Sequence, residues 1–182
     1  MIDHVVIVGA GQAAAHTAET LRRKGHAGHI TLIGDEGELP YQRPPLSKKY
    51  LAGDLEHDRL LLRSRMHYDE HRIALRLDQR VEAIDRARRS VHLADGSSLQ
   101  YDALVIATGS RPRRLELPGA DLTGVHYLRD MRDAQRLPPE LLLRGERDSL
   151  MPPQTDSPRS RALATIMRCT SIVPLATVAA CA

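Results

Sequence analysis

Val5-Val6-Ile7-Val8-Gly9-Ala10-Gly11-Gln12-Ala13-Ala14, continued by a helix-like run to Lys24 and then by Ile30-Thr31-Leu32-Ile33-Gly34-Asp35-Glu36, decides how this chain is read. The first four residues are apolar and mostly β-branched, which suits a buried strand. The glycine pair forces a turn, and the alanine-rich run after it favours a helix. A second apolar strand follows and ends in acid, roughly 20 residues beyond the glycines, as a dinucleotide-binding βαβ unit requires. Each small residue in the turn has a physical role in such a unit. Gly9 permits the tight turn, Gly11 lets backbone approach a pyrophosphate with no Cβ in the way, and Ala14 lets the helix pack close to the strand. The helix start presents unpaired N–H groups to phosphate, and Asp35 or Glu36 can accept hydrogen bonds from a ribose diol. The competing reading, in which the glycines only shape a tight corner, does not explain the acid at the end of the second strand. The motif does not choose between NAD and FAD.

At 182 residues the chain can hold one large domain, or a domain and a tail. A formal net charge of +3 reflects a small basic excess over 23 acids, which does not indicate nucleic acid. There is no Phe or Trp and only five Tyr, so a base-stacking platform is not expected either. No basic segment precedes the first strand, as a signal peptide would need, and no run approaches the roughly 20 apolar residues of a membrane span. A cytoplasmic protein without a membrane partner is the expectation. Both cysteines, Cys169 and Cys181, fall in the last fourteen residues, so the body carries neither a disulfide nor a thiol pair.

Further along, Gly25 is placed to end the first helix, with Ala18 and Leu21 facing the sheet. His26 and His29 flank the next turn and read as solvated. The stretch from Leu39 to Leu51 contains adjacent prolines, Pro44 and Pro45, that fix φ and stiffen the path into Ser47 and Lys48. A Pro-rich loop with Arg43 and Lys48 is usually a surface connection, but after a dinucleotide fingerprint these cations become sensible anion or cofactor contacts. Arg63 to Glu70 reads as a short helix and Ile73 to Leu77 as a strand. His67 and His71 stand four residues apart, yet no pattern of carboxylate or cysteine completes a metal site, and a solvated helix face is expected. Val81 to Asp85 and Ser90 to Leu93 alternate as strands, and Asp95-Gly96 turns the second into Leu99 to Tyr101. This is an antiparallel insertion, with Arg86 to Arg89 as a solvated corner. Tyr101 to Gly109 then returns to the parallel sheet, as a strand buried on both faces that ends in Thr108-Gly109, where ligands bind. Leu117-Pro118-Gly119 is a turn.

Taken in order, GAGQAA (9–14), LIGDE (32–36), PYQRPPLSK (40–48), RVEAID (80–85), LADGSSLQYDALVIATGS (93–110) and Gly124 to Arg129 resemble the FAD-binding half of ferredoxin reductases of the putidaredoxin, rubredoxin and dioxygenase reductase types. These lie within the pyridine nucleotide-disulphide oxidoreductase superfamily. The match covers about residues 2–137. Dithiol members of that superfamily place a cysteine pair early in the chain, and this sequence has none there. The resemblance implies electron transfer from NAD(P)H through FAD to an iron–sulfur ferredoxin, with no general acid or base. It implies that Gly9, Gly11 and Ala14 receive the FAD pyrophosphate and Glu36 the ribose. Arg43 and Lys48 contact the cofactor, with Lys48 near the flavin ring. Val81 meets the adenine through its backbone, Ala107, Thr108 and Gly109 close over the cofactor, and Arg129 is a further candidate contact.

Residues 138–182 hold six of the eleven prolines and one glycine, with no periodic pattern and no second glycine fingerprint. The expectation is a Rossmann-like α/β FAD/NAD(P)-binding domain over 1–137, with a parallel sheet and a small antiparallel insertion. Residues 138–182 are read as an unassigned, poorly ordered tail that has left the family's reading frame or follows a truncated gene, against the alternative of a tail with its own use. Against the reductase reading stand a non-catalytic nucleotide-binding fragment and a single-domain NAD dehydrogenase. The last lacks any recognisable Tyr-Lys or His-Asp arrangement.

Overall fold

The computed structural model describes residues 2–137 apart from 115 and 124. The tail expected over 138–182 lies outside the described residues. These form two compact units: residues 2–42 with Leu61–Gly109, and Arg43–Leu60 with residues 110–137.

The first unit holds β1 (His4–Val8), α1 (Gln12–Arg23), β2 (His29–Ile33), α2 (Arg65–Glu70), β3 (Ile73–Arg76), β4 (Val81–Asp85), β5 (Ser90–Leu93), β6 (Ser98–Gln100) and β7 (Ala103–Ile106). β1, β2, β3 and β7 form an all-parallel sheet in the order β3-β2-β1-β7, and β4, β5 and β6 form a separate antiparallel sheet. The predicted elements are present with ends shifted by at most three residues, the largest shift being at β7, which stops at Ile106 before Thr108-Gly109. Gly25 takes φ +87° just past α1, and Gly96 takes φ +83° in the β5–β6 hairpin.

Each face of the parallel sheet has its own cover. Because side chains alternate along a strand, Val5 and Ile7 point to one face and Val6 and Val8 to the other. On the first face Val5, Ile7, Ile30, Leu32 and Ile73 pack with Ala14 and Ala18 of α1 and with Tyr68 of α2, and Leu21 joins them. On the second, Val6, Val8 and Ile33 pack with Val91 and Leu93 of the antiparallel sheet, flanked by Val81, Leu99 and Tyr101. The antiparallel insertion therefore takes the place of a helix layer.

β7 departs from the expectation of burial on both faces. Its residues are half-buried, and Ile106 is 41% exposed. Among the described strands it pairs only with β1, so it forms the edge of the sheet. His26 also departs from its reading as solvated, since its Nε2 is buried without a hydrogen-bond partner.

Two polar side chains tie these layers together. The Arg22 guanidinium donates to four backbone carbonyls, those of His26, Gly28, His71 and Arg72, at 2.6–2.7 Å, joining the end of α1 to the start of β3. Asp102 accepts from the backbone N–H groups of Asp3 and His4 at 2.8 and 2.9 Å, while its own N–H donates to the His4 carbonyl. The starts of β1 and β7 are thereby locked together. The His4 and Asp3 amides hold the Asp102 carboxyl below its ordinary 3.8. Tyr68 is fully buried and its hydroxyl has no partner; burial first, and then Glu19, push the phenol up to about 12.

The second unit contains a 3-10 turn at Pro44–Ser47, another at His57–Leu60, and α3 (Met131–Arg136). Leu46 and Leu60 are buried, as are Met131, Ala134 and Leu137, and α3 packs on the Pro44–Ser47 turn. Asp130 and Asp133 form a reciprocal capping box at the start of α3.

Two outcomes are expected. Tyr68→Phe removes a buried hydroxyl that bonds to nothing, so chemical denaturation should show unchanged stability or a gain of up to about 1 kcal/mol. For Asp102 the folded-state pKa is depressed, so its contribution is complete above 3.8 and is lost as pH falls through the lower folded value. Asp102→Asn should therefore unfold at lower urea than the parent protein at neutral pH, with the gap narrowing as pH falls below 3.8.

Candidate functional site

The register of the parallel sheet puts the carboxyl ends of its strands level. Val8 is paired with Ile33 on one side and Ile106 on the other, and Ile33 with Arg76. From β1 the chain crosses to β2, whereas β7 lies on the opposite flank, so the order reverses beside β1. A crevice at that end, between strands that diverge in this way, is the general ligand position of open α/β sheets. Gly9, Gly34 and Ala107 each follow one of these strands directly.

Gly9 adopts φ +114°, and a Cβ there would fall on the Ala107 carbonyl and stand 3.1 Å from the Thr108 nitrogen. Its N–H donates to the Ile33 carbonyl at 2.7 Å, and the Ala107 N–H donates to Val8 at 2.8 Å. The turn after β1 is thus wedged between the ends of its two neighbours. Gly11 is different. It is the N-cap of α1 with φ −86°, and a Cβ added there would meet nothing within 4 Å. Sterics among the described residues do not require glycine at Gly11. The helix start has no side-chain cap and no acid in its first turn, which leaves its amides and its positive dipole end directed at that space. Ala14 is completely buried against β1, as the spacing predicts. This cradle fits a diphosphate: an uncapped helix start, an open glycine and no acid in the first turn of α1.

Gly34 carries a constraint that the motif spacing does not single out. A Cβ there would come within 2.5 Å of the Ala10 Cβ. The loop after β2 is held to the one after β3, since Gly34 N–H donates to Arg76, Gln79 N–H to Gly34, and Asp78 N–H to the Glu36 carbonyl, at 2.8–2.9 Å. Glu36 is half-buried and accepts at Oε2 from the Tyr41 hydroxyl at 2.6 Å, whereas Asp35 is exposed. Val81 pairs with Leu93 beside a bulge that shifts the register before Ala83. Thr108 and Gly109 are exposed beyond the contact with Gly9, and Gly109 has φ +72°. Gly9, Gly11, Ala14, Ala107 and Thr108 are therefore gathered at one point of the first unit.

Arg43, Lys48 and Arg129 belong to the second unit. Arg43 Nη1 donates to the Arg129 carbonyl at 3.2 Å, and Arg129 Nε donates to Ser110 at 3.0 Å. The Lys48 side chain is exposed at the end of the Pro44–Ser47 turn, its backbone N–H donating to Pro45 at 3.0 Å. The two prolines thus fix the backbone that carries it. On α2, His71 is exposed, but His67 is half-buried, stacked on His71 at 4.1 Å with its Nε2 3.6 Å from Glu19. No group of three His, Cys, Asp or Glu among the described residues is arranged to hold a metal, and no described helix is long and apolar enough to cross a membrane.

The chain matches the pyridine nucleotide-disulphide oxidoreductase family over residues 3–147, ten residues beyond the boundary expected at Leu137. It is 49% identical to rhodocoxin reductase of Rhodococcus erythropolis over 133 residues, which is 73% of this chain and 31% of that protein. It is 46% identical to the ferredoxin–NAD(+) reductase component of the p-cumate 2,3-dioxygenase system of Pseudomonas putida over 140 residues, 77% of this chain and 35% of that protein. Among solved structures it resembles the covalent putidaredoxin reductase–putidaredoxin complex, with a TM-score of 0.68 and 43% identity over 73% of this chain and 33% of that one. The chain spans about one third of the length of the relatives it matches.

The two motif glycines should separate in a thermal melt. Gly9→Ala combines a positive φ with a backbone collision and should cost at least about 2–3 kcal/mol. Gly11→Ala has ordinary φ and open space, and should cost no more than about 1 kcal/mol. Equal losses would mean that the two positions are constrained by the fold in the same way.

Proposed function

Because the chain belongs to the pyridine nucleotide-disulphide oxidoreductase family, we propose that it is the FAD-binding portion of a cytoplasmic NAD(P)H–ferredoxin reductase. The observation that carries this reading is the contrast between the two glycines: Gly9 is glycine because the fold leaves no room, and Gly11 is glycine although the fold leaves it open. A residue kept small beside empty space, at an uncapped helix start, is what a bound diphosphate demands. The relatives are reductases, one of them held covalently to putidaredoxin, which supports a ferredoxin-type iron–sulfur protein as the partner.

When bound, FAD would accept a hydride from NAD(P)H and release electrons singly to that partner. The work of the protein is then binding and orientation. Gly9 and Gly11 allow the close approach of the pyrophosphate, and the first amides of α1 donate to it. Glu36 accepts from the ribose diol, and the Val81 backbone meets the adenine. Ala107, Thr108 and Gly109 close the crevice from the β7 side. In the second unit, Arg43, Lys48 and Arg129 supply cofactor contacts and positive charge, with Lys48 assigned to the flavin ring. No side chain is assigned a proton transfer.

A second reading, nucleotide binding without turnover, is supported by the presence of a single glycine-rich βαβ unit among the described residues. One series of measurements separates the two. Residues 1–182 incubated with FAD and desalted should retain the visible flavin band, and Gly11→Ala, although folded, should lose most of it. FAD-dependent oxidation of NADH with a dye acceptor supports the reductase reading; retained flavin without oxidation supports the binding reading. If the parent protein keeps no flavin, the FAD assignment fails.

A further inference from the structure

Tyr41 is only 4% exposed although it carries a hydroxyl, and that hydroxyl donates to Glu36 Oε2 at 2.6 Å, the short distance of a charge-assisted bond. The tyrosine is itself held in place. Pro40 before it is fully buried and accepts from the Leu62 N–H at 2.8 Å, and Tyr41 pairs with Leu61 in an antiparallel bridge. Glu36 is held at its other end as well, through the 2.9 Å bond from Asp78 N–H to its carbonyl. Backbone and carboxylate of one glutamate are thus both anchored, at the carboxyl edge of the sheet. Tyr68 offers a contrast within the same unit: it is equally buried, yet its hydroxyl meets nothing. A buried tyrosine here does not need a carboxylate partner, so the aim of Tyr41 at Glu36 calls for its own explanation.

We propose that Tyr41 is a positioning residue, whose hydroxyl fixes the Glu36 carboxylate in the orientation that accepts hydrogen bonds from the adenosine ribose diol of the cofactor. The inference rests on the FAD reading above and deepens it. An unanchored glutamate has three side-chain torsions, and ordering them on binding would weaken the complex. The bond from Tyr41 orders them beforehand. It also keeps the carboxylate in the role of acceptor toward a diol whose hydroxyls donate.

The test uses the 182-residue chain and two probes, FAD and an FAD analogue whose adenosine ribose lacks both its 2′- and 3′-hydroxyls, with binding followed by quenching of flavin fluorescence. Tyr41→Phe is expected to weaken FAD about tenfold, the loss of roughly one well-made hydrogen bond. With the deoxy analogue the loss should fall below about twofold, because the group that Glu36 serves is gone. In a Glu36→Ala background, Tyr41→Phe should add little to either probe, since both act on one interaction. An equal loss with both probes, or no loss with FAD, would overturn the inference and leave Tyr41 a packing residue. A thermal melt of each variant without ligand shows whether a uniform loss stems from unfolding. If the parent protein binds neither probe, the FAD reading fails and the inference fails with it, an outcome distinct from loss in the Tyr41 variant alone.

Discussion

The turn after the first strand closes only because Gly9 has no side chain to keep it from the Ala107 carbonyl. That approach sets the geometry at the carboxyl end of the parallel sheet. It brings the ends of β1 and β7 together where strand order reverses, and the 2.7 Å bond from Gly9 to Ile33 joins β2 to the same point. The crowding extends one strand further, since Gly34 lies against Ala10 with no space for a Cβ. Three strand ends meet through backbone alone, and the helix that follows begins with its amides facing outward.

This backbone-only junction is supported by a sheet covered on both faces. Alternation along β1 sends Val5 and Ile7 to the helices and Val6 and Val8 to the antiparallel sheet, so the strand that leads into the glycine turn is sealed on either side. Small residues on α1, Ala14 and Ala18, let the helix lie close to the sheet and place its N-terminus near the strand ends. Polar ties sit at the opposite end, where Asp102 gathers the starts of β1 and β7 and Arg22 gathers four carbonyls around the end of α1. Charged groups that bridge to backbone close the bottom of the sheet, while at the top the start of α1 has no side-chain cap.

His4 shows how burial at that lower end couples to pH. Its ring contacts Thr31 Oγ1 at 2.9 Å and lies edge-on to His29, and burial, reinforced by His29 and opposed by Asp102 and Asp3, holds its pKa below 6.5. The folded state favours the neutral ring, so this histidine's contribution is whole above 6.5 and declines as acid protonates the unfolded chain first.

Local chemistry in the chain determined the strand–glycine–helix order, the hairpin at Asp95-Gly96 and the gathering of Gly9, Gly11 and Ala14 at one turn, because hydrophobic period, glycine and chain connectivity act over a few neighbouring residues. Helix α3 was less legible, its box being closed by Asp133 instead of the more usual Glu or Gln. The edge position of β7 was hidden because Leu104, Val105 and Ile106 read alike whether one or two strands flank them. The buried nitrogen of His26 and the hydroxyls of Tyr41 and Tyr68 depend on partners or packing distant in sequence, and no local pattern separates a satisfied tyrosine from an orphaned one. By itself the sequence determined the order of elements and where a nucleotide-binding turn belongs. Only the tertiary structure decided which sheet face the antiparallel insertion covers, which glycine is forced by the fold and which is left open, and which acid is held by a buried hydroxyl. Those properties arise from the meeting of segments that the chain itself keeps apart.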